Sequence, residues 1–402
     1  MAVSEDFWIT LDNFRASIVC SGDLAEATAA TRRDANVDED NMGVLAKCEG
    51  IIENVVASLS RGEPPVLRVP RPSRSDPFGG VAGGGGGGGG GEQGAAGTGG
   101  TGGEALVSLG GSRSHRRISL LLHLLSQVHR LVASGTYATR RDVFYEFVWL
   151  YRSQGTLDRA AEDLTRLLAV PRRALHLTAT GKGLVAGYLT YTTHDGTVVN
   201  VAQAGNGVGV PDCVAGLAGL QSEARYVLVV EKDATFQKLL ESHFLRSFGP
   251  AIMVTGKGYP DLNTRQLVYR LWRDLQLPIL ALTDADPYGL HIAAVYKFGA
   301  LAREEQGLSV SSLAWLGVLP TDLRGLQLPA HALLPLTPKD HGKLASLAAH
   351  PALSRHPAWV RQIEEQQRLG CKAEIQGLTH VAQDYLSTTY LPTKLRQGGW
   401  VG

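Results

Sequence analysis

The chain has 402 residues, too many for one compact core of ordinary size, so two domains joined by irregular segments are expected. Hydrophobic residues make up 44% of it and charged residues 19%, enough apolar material to fold, and the formal net charge of +1 argues by itself for no acidic partner. Its four cysteines, Cys20, Cys48, Cys213 and Cys371, stand singly, with no CxxC and no histidine pair at ligand spacing, so neither a disulfide framework nor a zinc site is indicated and a reducing compartment fits.

The N-terminus, MAVSEDFWITLDNF, carries acids where a signal peptide needs bases, and no stretch approaches the roughly 18 apolar residues of a membrane helix. The expectation is a soluble intracellular protein with no membrane partner. Residues 1–114 form an N-terminal region in which IIENVVASLSRG reads as helix and EPPVLRVPRPSRSDP as extended chain. Within it, residues 79–103 hold 17 glycines in 25 positions, too little apolar surface to offset backbone entropy, and read as a flexible, disordered insert. A phosphate-binding loop would need a following Gly-Lys-Ser/Thr and a helix start, which are missing.

Residues 115–215 open with RRISLLLHLLSQVHRLVASG, apolar at helical spacing and ending at Gly135. Thr139 stands as N-cap for a second helix, RRDVFYEFVWLYRSQ, and a third, LDRAAEDLTRLLAV, stops at Pro171. Then LVAGYLTYTT, a turn from His194 to Thr197 and VVNVA read as a β-hairpin. Three helices and a hairpin is the order of a winged helix-turn-helix, a duplex-binding module. Between Arg113 and Arg173 there are 11 arginines, no lysine and 5 acids, a net +6 against −5 for the rest of the chain, as expected for a phosphate-facing segment.

Residues 216–402 alternate apolar runs with helical patterns: RYVLVVE, DATFQKLLESHFLRSF, AIMVTG, NTRQLVYRLWRDL and PILALTDAD. That is the signature of a mostly parallel sheet flanked by helices, an α/β domain with its active groups at the carboxyl ends of strands. Glu231, Asp284 and Asp286 fall at such ends, and three hard oxygen donors converging there suit Mg²⁺. The plainer reading makes the DAD sequence a cap for the helix starting near Pro287, which accounts for one aspartate and leaves Glu231 unexplained. On the second helix, Arg141 and Tyr145 are four residues apart and share a face, so the guanidinium could stabilise a phenolate attacking phosphorus. Tyr137 and Tyr151 lie close by, and residue types alone leave Tyr145 and Tyr151 both open as the nucleophile.

The segments RRDVFYEF, RRALHLTATGKGLVAG, LVVEKDATFQKLLESHF, VTGKGYPDLNTR, LTDADPYGLHI, LAWLGVLPTDL, KAEIQGL and YLPTKLRQGGW, in this order, resemble the family of proteins that make meiotic DNA double-strand breaks, relatives of the topoisomerase VI A-type chain. The resemblance runs from about residue 115 to the C-terminus and implies a winged-helix domain followed by a Toprim domain. It implies Tyr145 as nucleophile, forming a 5′-phosphotyrosyl link to duplex DNA, and Glu231, Asp284 and Asp286 as Mg²⁺ ligands. It also implies a homodimer in which each tyrosine works with the partner's metal site, an ATPase-like B-subunit relative as partner, and a place in the nucleus on meiotic chromosomes. Arg140, Arg172, Arg173 and Lys182 are the expected contacts to the DNA backbone. The rival expectations are a topoisomerase VI A-type chain that cuts and reseals with an ATPase-bearing B-type chain, a metal-dependent nuclease, and a non-catalytic DNA-binding scaffold.

Overall fold

The computed structural model describes residues 5–19, 37–70, 104–108, 114–178, 181–242, 244–299 and 308–402. The glycine run expected to be disordered lies outside the described residues. The chain divides into two compact units, one made of Arg33–Thr180 with Leu301–Glu305, the other of Met1–Arg32, Gly181–Ala300 and Gln306–Gly402. Helix α1 (Glu5–Val19) falls in the second of these.

The first unit contains α2 (Val37–Ser60), strands β1 (Val66–Pro70) and β2 (Glu104–Ser108), α3 (His115–Ser134), α4 (Arg140–Glu146), α5 (Val148–Tyr151) and α6 (Gln154–Leu168). In α3 the buried positions Ile118, Leu121, Leu125, Val128 and Val132 recur every three or four residues, which puts them on one face. The helix stops at Gly135, whose φ of 65° is open to glycine without strain, and the N–H groups of Gly135 and Thr136 return to the carbonyls of Val132 and Leu131. Strands β1 and β2 pair antiparallel, with Val66 opposite Ser108 and Pro70 opposite Glu104, and bury Leu67, Val69 and Val107 with Val55, Ile118 and Leu121. Residues 71–103 therefore connect two paired strands instead of separating a distinct N-terminal region from the rest.

The predicted second helix is divided in two. Phe147, with φ −125° and ψ 38°, leaves helical geometry between α4 and α5, and Arg152 is left-handed at φ 63°. The run Phe-Val-Trp-Leu-Tyr is weak in helix propensity, so packing decides its course. Phe147 meets the edge of His123 at 4.3 Å, and Tyr151 is fully buried.

The second unit is built on a six-stranded sheet. Its strands in chain order are β3 (Leu184–Gly187), β6 (Val208–Gly209), β8 (Val227–Val230), β9 (Ile252–Thr255), β10 (Ile279–Leu282) and β11 (Ala314–Gly317). In space they run β11-β10-β8-β9-β3-β6. The pairs β8–β9, β8–β10 and β10–β11 are parallel, whereas β3 runs antiparallel to β9 and β6 to β3. Every residue of the four parallel strands is buried, as a sheet covered on both faces requires. Connecting helices include α7 (Asp233–Glu241), α8 (Leu262–Leu275) and α9 (Pro287–Phe298), followed later by α10 (Pro357–Leu369) and α11 (Leu391–Gln397).

The expected hairpin is present, β4 (Thr190–Thr192) on β5 (Val198–Asn200), and β7 (Ala218–Gln221) pairs on its other side. It belongs to the sheet unit, because the preceding run LVAG supplies β3 and buries Val185 and Ala186 against β9. Compact packing thus puts the unit boundary at 180/181, whereas the sequence pattern places it at 215/216. Helix α1 also joins this unit: Leu11 is buried in its core, Phe14 lies 5.4 Å from Trp400, and the Arg225 guanidinium sits 4.0 Å over Trp8 while pairing with Asp12.

Candidate active site

Strands β8 and β10 are neighbours with Val230 opposite Leu282, so the residues that follow them emerge side by side at one edge of the sheet. Glu231 and Asp284 are the groups delivered there, 8% and 4% exposed. The backbone N–H of Asp284 donates to a Glu231 carboxylate oxygen at 2.8 Å. Asp286 accepts the Gly289 N–H at 2.6 Å and caps α9, with Pro287 in the first turn, so the capping expectation holds for this aspartate. Gly289 permits the approach: a Cβ there would lie 2.3 Å from the Asp284 carbonyl oxygen.

Asp284 is held from two further directions. The Ile375 N–H donates to one of its oxygens at 2.9 Å, and the Lys232 ammonium stands 2.6 Å from the other. Lys232 also reaches Glu374 at 3.0 Å and the Gln376 amide oxygen at 3.1 Å. A bridge between Ala285 and Ala373 fixes the covering segment, and Gln366, buried, donates to the Ala285 carbonyl at 3.0 Å. Sequence reasoning missed Lys232, Glu374 and the Ile375 amide. The sign of Lys232 was available, since it directly follows Glu231 in VVEKD.

Burial, then the charges of Asp284 and Asp286, push the Glu231 carboxyl up to about 8, against the lowering effect of the Asp284 N–H bond. Asp284 and Asp286 are also raised, chiefly by burial. Burial disfavours the Lys232 charge, but the carboxylates of Asp284 and Glu374 outweigh it and hold the ammonium charged above its ordinary range. Tyr259 is raised by burial and by Asp286 and Glu231, and its hydroxyl meets His291 Nδ1 at 2.8 Å. Two buried carboxylates, Glu231 and Asp284, with the half-buried Asp286 beside them, are the donor set that a hard divalent cation takes. Among the described residues, however, no group of three His, Cys, Asp or Glu side chains is arranged to hold a metal ion, and Lys232 and the Ile375 N–H occupy both oxygens of Asp284. Beside this cluster, the Gly258 N–H donates to the Glu231 carbonyl at 2.8 Å. The exposed Lys182 puts its ammonium 3.5 Å from the Lys257 carbonyl in the same loop.

In the helical unit, Thr139 caps α4 as expected. Its hydroxyl accepts the Asp142 N–H at 3.1 Å, and the Asp142 carboxylate returns to the Thr139 N–H at 3.1 Å. Asp142 is therefore a capping residue. Arg140 is ion-paired to Asp158 at 2.7 Å and Arg172 to Glu162 at 2.7 Å. The side chain of Arg173 lies outside the described residues. Arg141 is exposed and makes no ion pair or hydrogen bond among the described residues.

The three tyrosines are sorted by burial. Tyr151 is 0% exposed, its hydroxyl meets His123 Nδ1 at 2.9 Å, and burial pushes its pKa up. Tyr137 stacks on His176 at 4.1 Å. Tyr145 is 69% exposed, and its hydroxyl has no hydrogen-bond partner among the described residues.

Comparison with known proteins matches residues 116–177 to the model of the type IIB DNA topoisomerase family and residues 226–395 to that of the Toprim domain shared by Spo11 and the topoisomerase 6 A-type chain. The chain is 38% identical to the meiotic recombination protein SPO11 of Mus musculus, covering 100% of this chain and 99% of that protein. It is 37% identical to that of Homo sapiens over 100% and 99%. To the A3 chain of DNA topoisomerase 6 from Oryza sativa subsp. indica it is 37% identical over 71% of this chain and 65% of that one. With an acid-bearing sheet over the second matched segment and an exposed tyrosine within the first, the chain belongs to the Spo11/topoisomerase 6 A family.

Proposed function

We propose that the chain is a topoisomerase-like transesterase that makes DNA double-strand breaks in meiotic recombination, with Tyr145 as its nucleophile. The carrying observation is the sorting of the tyrosines. A nucleophile for a duplex phosphate must be reachable, and Tyr145 is exposed four residues after Arg141, which has no ion pair among the described residues, whereas Tyr151 is buried and Tyr137 stacked. The Tyr145 oxygen attacks the scissile phosphorus in line, forming an O–P bond as the bond to the 3′ oxygen breaks. The phenol gives up its proton to solvent, the 3′ oxygen takes one up and leaves as a 3′-hydroxyl, and the 5′ end stays on the tyrosine. Arg141 holds a non-bridging oxygen and favours the phenolate. Glu231, Asp284 and Asp286 would hold Mg²⁺, which when bound supplies charge neutralisation at the phosphate.

One tyrosine cuts one strand, so a double-strand break requires a homodimer acting on duplex DNA, each Tyr145 working with the partner's metal site. An ATPase-like B-subunit relative is the expected further partner, and the nucleus the expected location. The basic segment containing residues 115–178 is assigned to the winged-helix module and the sheet unit to the Toprim domain. Among the expected backbone contacts, Lys182 stays exposed, while Arg140 and Arg172 must exchange their acidic partners for phosphate. Full-length similarity to the SPO11 proteins of Mus musculus and Homo sapiens, over 100% of this chain in each case, supports break formation over cutting and resealing. The test is to isolate protein-linked oligonucleotides under break-forming conditions and locate the modified residue by mass spectrometry. A link at Tyr145 is expected. A link at Tyr151, or free 5′-phosphates without any link, overturns the reading.

A further inference from the structure

Of the six tryptophans, Trp272, Trp315 and Trp359 are buried, Trp8 and Trp400 half-buried, and Trp149 is 74% exposed. It follows Tyr145 by four residues, with Val148 beside it 43% exposed. An indole and a valine left in water, four and three residues along the chain from the proposed nucleophile, form an apolar patch that packing among the described residues does not use. The patch is bordered by cations. Arg141 and Arg152 are exposed and have no ion pair among the described residues, and the acids between them are Asp142, engaged in the α4 cap, and Glu146.

We infer that Trp149 is a base-contacting residue, its indole stacking on a base at an opened or bent step beside the phosphate that Tyr145 attacks. The inference rests on the proposed DNA-cleaving reading and specifies what holds the duplex there. Four residues of chain span at most about 14 Å, so Trp149 reaches bases within about four steps of that phosphate, at about 3.4 Å per step along a strand. Aromatic faces stack on any base, and arginines on either side neutralise the flanking phosphates. A second copy of this chain is the poorer occupant. A two-fold contact would set a patch bordered by Arg141 and Arg152 against an identical one, like charge against like.

The test measures binding of the full-length protein to two fluorescent duplexes, one fully paired and one with a central two-nucleotide mismatch bubble, by anisotropy over a range of salt. Mismatched bases cost least to unstack, so the wild type is expected to prefer the bubble. Trp149→Ala should abolish that preference and weaken bubble binding about fivefold or more, while Trp149→Phe keeps most of both. The salt dependence of the alanine variant should be unchanged, because no phosphate contact is removed. Equal binding by wild type and Trp149→Ala at an unchanged melting temperature overturns the inference alone. So does a shift of Trp149→Ala from dimer to monomer with DNA binding intact, which would assign the patch to a second copy. A wild type that binds neither duplex overturns the DNA-cleaving reading beneath it.

Discussion

Tyr145 stands on a seven-residue helix with most of its surface in water, whereas Glu231 and Asp284 are sealed at the ends of adjacent parallel strands, with the Ile375 amide and Lys232 on the carboxylate of Asp284. The contrast matches what each group would meet in the proposed reaction. A nucleophile that attacks a macromolecule has to be reachable, and a surface position supplies that at little cost in stability. Carboxylates that repel one another need a rigid frame, and a sheet buried on both faces supplies it. One region can therefore lose its chemistry without losing its fold, while the other cannot separate the two.

The sharpest way to break this comparison is a pair of tyrosine substitutions. Tyr145→Phe is expected to abolish the covalent protein–DNA adduct while changing stability by no more than about 0.5 kcal/mol, the usual range for a surface change. Tyr151→Phe should keep the adduct and lose about 1 kcal/mol, because His123 Nδ1 is left in a partly buried site without its hydroxyl. Adduct yield after denaturing extraction and urea midpoints of the two variants check this. Adducts surviving in Tyr145→Phe would collapse the contrast.

The same contrast explains what could be read in advance. VLVV, IMVT and ILAL are buried on both faces, so each appears in sequence as an unbroken apolar run, and an acid directly after such a run is conspicuous. Thr139 with Asp142 three residues on is a capping box, and α4 begins there. Long-range pairing left no such mark. Nothing local in VLRVP tells Val66–Pro70 to pair with Glu104–Ser108, and nothing in LVAG tells it to join β9 instead of a hairpin. The covering of Asp284 by Ile375 is a backbone hydrogen bond, and main-chain donors carry no residue signature. Tyr145 and Tyr151 have the same side chain and differ only in burial, a property of the packed unit.

A second way to sharpen the comparison is to charge the buried surroundings of the acids. Burial, helped by Lys343 and His350, pushes His291 down to about 3, so it is neutral in the fold and accessible to protons when unfolded. A depressed histidine contributes stability that is present above about 6.5, its unfolded value, and is lost as pH falls toward 3. The loss is expected to be on the order of a few kcal/mol across that window. His291→Asn should flatten this part of the curve relative to wild type, as measured by urea midpoints at pH 7, 6, 5 and 4. Parallel curves would show that the imidazole is reachable by water in the fold.

Lys232 tests the sealed region through the cation that touches it. Lys232→Met leaves Asp284 buried beside Glu231 without that counter-charge, at an expected cost of about 1–3 kcal/mol, discounted because the lysine side chain is 26% exposed. Adding millimolar Mg²⁺ should restore more stability to this variant than to wild type, since the freed carboxylate oxygen becomes available to the ion. Melting temperatures with EDTA and with Mg²⁺ decide it. An equal Mg²⁺ response in both would mean that Lys232 does not stand where the ion binds.

The smallest effect separates two adjacent arginines of the exposed region. Arg140 is paired with Asp158 at partly exposed positions, so Arg140→Gln should cost about 0.3–1 kcal/mol of stability. Arg141 has no such partner among the described residues, so Arg141→Gln should leave the urea midpoint unchanged. The order reverses on DNA. An unpaired guanidinium neutralises a phosphate without first giving up a carboxylate, so Arg141→Gln should reduce the slope of log affinity against log salt by about 0.9, the amount for one lost phosphate contact. Arg140 must break its ion pair to do the same, and its substitution should change the slope by less. If Arg140→Gln lowered the slope more than Arg141→Gln, the cation beside Tyr145 would not be the one that meets the phosphate, and Arg141 would lose its proposed role.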